Sequence, residues 1–317
     1  MLLKLFPWSF MRPVIGLLTF LFLCINILLC GMAIHLVAFL GWLGKCPASW
    51  QRSFNDRCYH VWVSLCRFWF QQLLEMHWQL DNGLRSRPDQ WHLVVANHRS
   101  WVDTFVVLFQ LQGSMPMPRI FMKDTLRWLP LVGSATKLMG FPQVKRYSKA
   151  KLAKQPELAE RDRQATQAAC VALMQTPSSM MSFAEGTRFT ARKHRQQKSP
   201  YQHLLRPKAG GLWAVLQAMP DRFECITDLN IVYQNGAPSF WDLLCGRVAH
   251  VFVTARYVEI PRAFQRIDHD TDKQAFYTWL NGYWQDKDVH LETDLRQCVM
   301  LEIKRNGPIK KGNGIQN

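Results

Sequence analysis

Residues Val14 to Gly44 form a run of 31 without a single Asp, Glu, Lys or Arg. A helix of about 20 apolar residues crosses the hydrocarbon core of a bilayer, so this segment is long enough to span one. A cleavable signal peptide fits poorly, because its apolar core runs to only about 7–15 residues before a small-residue cleavage site. The run exceeds one crossing and holds Gly31 and His35, which leaves a tilt, a kink near Gly31 and a shallow hairpin all open. Lys4 and Arg12 precede it and Lys45, Arg52 and Arg57 follow it, so the positive-inside rule sets no orientation. A second stretch, Tyr59–Leu80, mixes rings (Trp62, Phe68, Trp69, Phe70, Trp78) with Arg67, Gln71, Gln72 and Glu75. That is the make-up of an interfacial amphipathic helix or of a core helix. A membrane anchor, spanning or monotopic, is expected before residue 80.

From residue 81 short apolar runs alternate with helical stretches. His92–Ala96, Arg119–Met122, Met180–Ala184, Cys225–Tyr233 and Ala249–Tyr257 read as strands. Ser100–Leu111, Lys151–Met174 and Gly210–Met219 read as helices. Asp272–Leu291 is a further helix, whose stripe Phe276, Trp279, Leu280, Tyr283 and Trp284 is expected to pack on the domain. The alternation predicts an α/β fold, a sheet with flanking helices, behind an N-terminal helical membrane anchor. The expected division is an anchor with interfacial helix over 1–80, a catalytic domain over 81–302 and a flexible tail over 303–317. The net charge of +16 calls for a polyanionic partner. Nucleic acid is not expected, because the basic residues follow no reader motif and the N-terminus belongs in lipid. The nine cysteines include no C-x-x-C pair and read as reduced, packed thiols of a cytosol-facing domain.

Asn97-His98-Arg99-Ser100-Trp101-Val102-Asp103 directly follows the strand HLVVA, at the mouth of an α/β sheet. His98 is the natural general base there, with an unperturbed pKa of about 6.5. Asp103 could bond one imidazole nitrogen and stabilise the imidazolium. Ser100-x-x-Asp103 also fits a plain helix capping box. Glu185-Gly186-Thr187-Arg188 occupies the same situation after the strand MMSFA. Gly186 permits a tight turn, Glu185 can accept from hydroxyls, and Arg188 can grip a phosphate through two N–H groups. Arg192, Lys193, Arg195, Lys198, Arg206 and Lys208 follow with no acidic residue before Asp221, a run suited to headgroups or phosphates. Lys208 then precedes a helix start, where backbone N–H groups bind anions.

Together, N-H-x-x-x-x-D at 97–103 and F-x-E-G-T-R at 183–188 resemble the glycerol-phosphate and lysophosphatidic acid acyltransferase superfamily. The resemblance covers nearly the whole chain after residue 85. It implies a mixed-sheet glycerolipid acyltransferase fold with a cytosolic-side active site in the cell inner membrane. His98 and Asp103 are the implied catalytic pair. Gly140–Arg146 resembles the family's intermediate block, which makes Arg146 a phosphate contact beside Glu185, Gly186, Thr187, Arg188 and Lys208. The strand Ile226–Tyr233 lacks the family's usual Val-Pro. This departure, with Tyr147-Ser148, resembles the lysocardiolipin-acyltransferase-like branch and its bacterial inner-membrane members.

The expected reaction is acyl transfer from a thioester to a lysophospholipid hydroxyl, with 1-acyl-glycerol-3-phosphate going to phosphatidate as the first choice. Remodelling of another lysophospholipid is the alternative. A non-enzymatic protein binding anionic lipids is the competing class; it explains the charge and anchor but leaves the two motifs unexplained. No metal and no resident cofactor are expected. Acyl-CoA or acyl carrier protein would be the co-substrate, and membrane lipids the surroundings.

Overall fold

The computed structural model describes residues 2–5, 8–80, 84–85, 87–120, 122–123, 128, 131–141, 143–144, 155, 157–174, 176–266 and 273–306. Arg146 and the tail beyond Asn306 lie outside the described residues.

Helix α1, Arg12–Trp42, runs unbroken through Gly31, so of the three open shapes the turn-back does not occur. It carries the apolar run and is long and apolar enough to cross a membrane. Helix α2, Ala48–Phe68, returns alongside it. A π-helical turn at Trp69–Leu73 follows, and Glu75 in the left-handed region (φ 51°) redirects the chain into β1, His77–Leu80. The aromatic stretch 59–80 is therefore not one interfacial helix. Phe70 is fully buried while Phe68 stays exposed, and the last residues of the stretch form a strand of the main sheet. The expected boundary after residue 80 thus falls behind the first strand of the catalytic sheet.

The remaining elements follow in chain order: β2 (His92–Ala96), α3 (Val102–Leu111), β3 (Pro118–Ile120), β4 (Met122–Lys123), α4 (Val132–Leu138), β5 (Gln143–Val144), α5 (Glu157–Leu173), β6 (Ser179–Ser182), α6 (Ala191–Gln197), α7 (Ala209–Ala218), β7 (Cys225–Tyr233), α8 (Phe240–Leu244), β8 (His250–Glu259) and α9 (Lys273–Asn306). The main sheet has six strands in the order β1-β8-β7-β2-β6-β3; β4 and β5 form a separate parallel pair. Only β7 and β8 are antiparallel neighbours in the main sheet, so it is mixed. Helices flank both faces, as expected.

The central strand β2 is buried along its whole length, the reason its sequence is an unbroken apolar run. Val94 and Ala96 face a core shared with α2 and α3, while Leu93 and Val95 face a second core against α7 and α9. Phe276, Leu280, Tyr283 and Trp284 fill that second core, which explains the aromatic stripe. Helix α9 continues well past the expected end at Leu291.

Candidate active site

Strands β6, β2 and β7 are parallel neighbours, so Phe183, Asn97 and Tyr233 arrive at one edge of the sheet. Asn97 works as an extra rung between strands. Its Nδ2 donates to Ile231 O at 2.9 Å, and Ile231 N donates to its Oδ1 at 2.8 Å. The next residue, His98, turns out of the sheet, and its backbone N–H donates to Glu185 Oε1 at 2.8 Å.

His98 Nδ1 lies 2.8 Å from Asp103 Oδ2, and Asp103 is fully buried. The same carboxylate oxygen accepts from the amides of Arg99 at 2.6 Å and Ser100 at 2.8 Å. The loop 98–102 therefore wraps around Asp103. The capping-box reading fails: α3 begins without a side-chain cap, and Ser100 Oγ donates to Pro238 O at 2.5 Å. Phe183 stacks on the imidazole at 4.0 Å between ring centroids with a 17° tilt. The imidazole borders an open apolar cavity of about 450 Å³ lined by α1, α2, α3 and α4, with Ile27, Ile34, Tyr59, Leu108 and Met139 among its walls.

Beside it, Gly186 has φ +66°, and a Cβ there would stand 2.7 Å from Lys208 Cδ. Glycine at this position lets the Lys208 side chain cross over the turn. Lys208 precedes α7, and its N–H donates to Ala184 O at 2.7 Å. Lys193 Nζ donates to Thr187 Oγ1 at 2.7 Å, and the Arg188 guanidinium lies 4.9 Å from the Trp101 ring centroid. Of these residues His98 lines the cavity, Asp103 is buried behind it, Arg188 packs on Trp101 of the cavity wall, and Gly186, Thr187 and Lys208 form the adjoining turn.

Residues 81–226 match the acyltransferase family model. The chain is 24% identical over 292 residues to 1-acyl-sn-glycerol-3-phosphate acyltransferase epsilon of Mus musculus, covering 83% of this chain and 75% of that one. It is also similar to the crystal structure of the 1-acyl-sn-glycerophosphate (LPA) acyltransferase PlsC from Thermotoga maritima. That similarity has a TM-score of 0.48 and 15% identity, covering 85% of this chain and 98% of the other. The matched residues 81–226 hold both motifs, and the chain is similar to glycerolipid acyltransferases. It is an O-acyltransferase of lipid metabolism, which removes the non-enzymatic reading.

One expected contact of this acyltransferase needs correction. Glu185 is fully buried and does not offer itself to a substrate hydroxyl. Its Oε1 accepts from His98 N and its Oε2 from Leu205 N at 3.0 Å, so it ties the His98 loop to the segment leading to Lys208. Burial pushes its pKa up to about 7, against the two amides and the nearby Arg99, which favour the charged form. Three residues of the acyltransferase site were not singled out by motif reasoning. Asn97 and Phe183 sit inside the two motifs, which are their local signal. Tyr233, whose hydroxyl donates to Asp103 Oδ1 at 2.5 Å, lies 130 positions from its partner and carries no local signal.

Proposed function

We propose that the protein moves a fatty acyl group from a thioester to the free hydroxyl of a lysophospholipid, with 1-acyl-glycerol-3-phosphate as the preferred acceptor. One observation carries the reading: a buried carboxylate holds His98 through Nδ1 while its ring borders an apolar cavity. With Nδ1–H engaged, Nε2 takes the proton of the acceptor hydroxyl. The oxygen attacks the thioester carbonyl carbon. The tetrahedral intermediate then expels the thiolate, which recovers the proton from Nε2, leaving an ester and a free thiol. Asp103 fixes the tautomer and stabilises the imidazolium. Arg188, Thr187 and Lys208 hold the acceptor phosphate, with Arg146 as a further contact, while Gly186 gives the turn its shape. The cavity takes the acyl chain, and acyl-CoA and acyl carrier protein both suit the exposed basic surface. Similarity to the mouse 1-acyl-sn-glycerol-3-phosphate acyltransferase epsilon supports this acceptor. The purified protein, given labelled acyl thioesters and a panel of lysophospholipids, should acylate 1-acyl-glycerol-3-phosphate fastest. Preference for another lysophospholipid would favour the remodelling reading, and no transfer to any acceptor would overturn both.

The way α1 is seated supports an in-plane membrane anchor, which we place on the cytoplasmic face of the inner membrane. Arg12 donates to Gly246 O at 3.0 Å, and Gly16 leaves no room for a Cβ against Cys245 and Trp241. His35 Nε2 lies 2.8 Å from Ser134 Oγ. The catalytic body thus holds α1 over about 34 Å of its length, more than the hydrocarbon thickness of about 30 Å. Spanning would drag that body, and the charges of α2, into lipid. The exposed flank of Leu17, Leu21, Ile25, Leu28, Leu29 and Leu36 instead lies flat in one leaflet. In vesicles carrying the protein on the outside, single thiols placed at residues 10 and 42 of a cysteine-free variant should both react with an impermeant reagent. Protection of one end alone would establish a crossing.

A further inference from the structure

We infer that Tyr233 is a positioning residue of the reaction, acting through Asp103 to set the basicity of His98. The inference rests on the general-base reading of His98. Asp103 Oδ2 accepts three donors: His98 Nδ1 and the amides of Arg99 and Ser100. On Oδ1 the described residues place Tyr233, which donates from a ring that is 6% exposed. Burial and the adjacent carboxylate keep the Tyr233 phenol well above its ordinary pKa, so it stays a donor.

The placement follows from the sheet. Asn97 pins Ile231 of β7 to the start of the His98 loop. Side chains two apart on a strand share a face, so fixing Ile231 aims Tyr233 at the same side, under α3. Tyr233 is also paired with Val251 of β8, which holds its backbone from the other edge. The phenol thus reaches the carboxylate from below while the imidazole reaches it from the cavity side. Tyr233 is not among the residues lining the cavity, so it can act on catalysis only through Asp103.

A hydrogen bond to a charged acceptor contributes about 1.5–3 kcal/mol. Removing it leaves Asp103 a stronger base, strengthens its hold on the imidazolium and raises the pH at which His98 loses its proton. Other titratable groups around the pair are Arg99 on the same loop, Glu185 below the His98 amide and Asp288 of α9 beyond Arg99. Tyr59, Cys30 and Cys58 also line the cavity, Arg188 packs on Trp101 of its wall, and Lys208 crosses the Gly186 turn. All of them stay in place when Tyr233 becomes Phe.

The test is Tyr233→Phe, which keeps the ring and its packing. The acid limb of the kcat/KM profile should move up by about 0.5–1 pH unit, and kcat should fall about tenfold with both KM values unchanged. On an Asp103→Asn background the same change should cost little more, because the two act as one unit. An unshifted profile and wild-type kcat in Tyr233→Phe, with His98→Ala inactive, would refute the role of Tyr233 alone. An active His98→Ala would remove the base on which the inference stands.

Discussion

Strand β7 serves two buried carboxylates on opposite faces of the sheet, and they have been put to different uses. On one face Tyr233 supports Asp103, which is 0% exposed and bonded to His98. On the other, Asp228, 1% exposed, accepts from Tyr283 OH at 2.8 Å, Lys287 Nζ at 2.5 Å and Arg256 Nε at 2.7 Å. Both acids take a tyrosine hydroxyl and a basic partner. The difference lies in what the basic partner sees. Lys287 is fully buried, and its remaining bonds go to Leu229 O and Asn230 Oδ1, so its donors are spent inside the protein. His98, held through Nδ1, borders a cavity that a substrate can enter. A buried acid whose basic partner is enclosed by protein holds a fold together; one whose partner meets a cavity can do chemistry.

The largest test of this contrast is His98→Ala. Loss of the general base should lower acylation by about 100- to 10,000-fold, with the melting temperature nearly unchanged. Wild-type turnover in that variant would place both carboxylates in the same structural class. Lys287→Met should do the reverse. Removing one partner of a buried pair costs about 3–5 kcal/mol, read by denaturant unfolding, while the surviving folded enzyme keeps its pH profile. A shifted profile there would mean the two faces communicate.

Glu185 stands between the two regions and should show itself in stability. Its folded pKa of about 7 lies above the 4.5 of an unperturbed glutamate, so its contribution is complete below pH 4.5 and is lost as the pH rises to about 7. The unfolding free energy of wild type minus that of Glu185→Gln should therefore fall by at most about 3 kcal/mol across that window. A flat difference would mean the carboxyl stays ionised throughout. The smallest effect concerns the cavity itself. Ala135 is buried at the cavity wall, and Ala135→Leu should disfavour the longest acyl donors by about 1–3 kcal/mol in relative kcat/KM. Unchanged chain preference would argue that the acyl chain lies elsewhere.

Much of this was legible in the chain. The central strand β2 was readable because a strand covered on both faces is apolar over its length. His98 and Asp103 were readable because five residues of loop and first helical turn bring them together locally. Glu185 was read as a substrate contact because a carboxylate at a strand end looks the same whether it faces solvent or the amides of His98 and Leu205. The end of the aromatic stretch was misread for a similar reason. Nothing within Tyr59–Leu80 announces that β8, some 170 positions away, provides the edge on which His77–Leu80 pairs.

By itself the sequence determined the apolar N-terminal helix, the covered sheet and the histidine–aspartate pair, since each depends on periodicity or spacing within about a dozen residues. Tertiary structure alone decided that α1 lies along the catalytic body, that Tyr233 meets Asp103 and that α9 seals Asp228. Those outcomes depend on which distant surfaces bury one another, and burial between distant segments leaves no mark on either segment read alone.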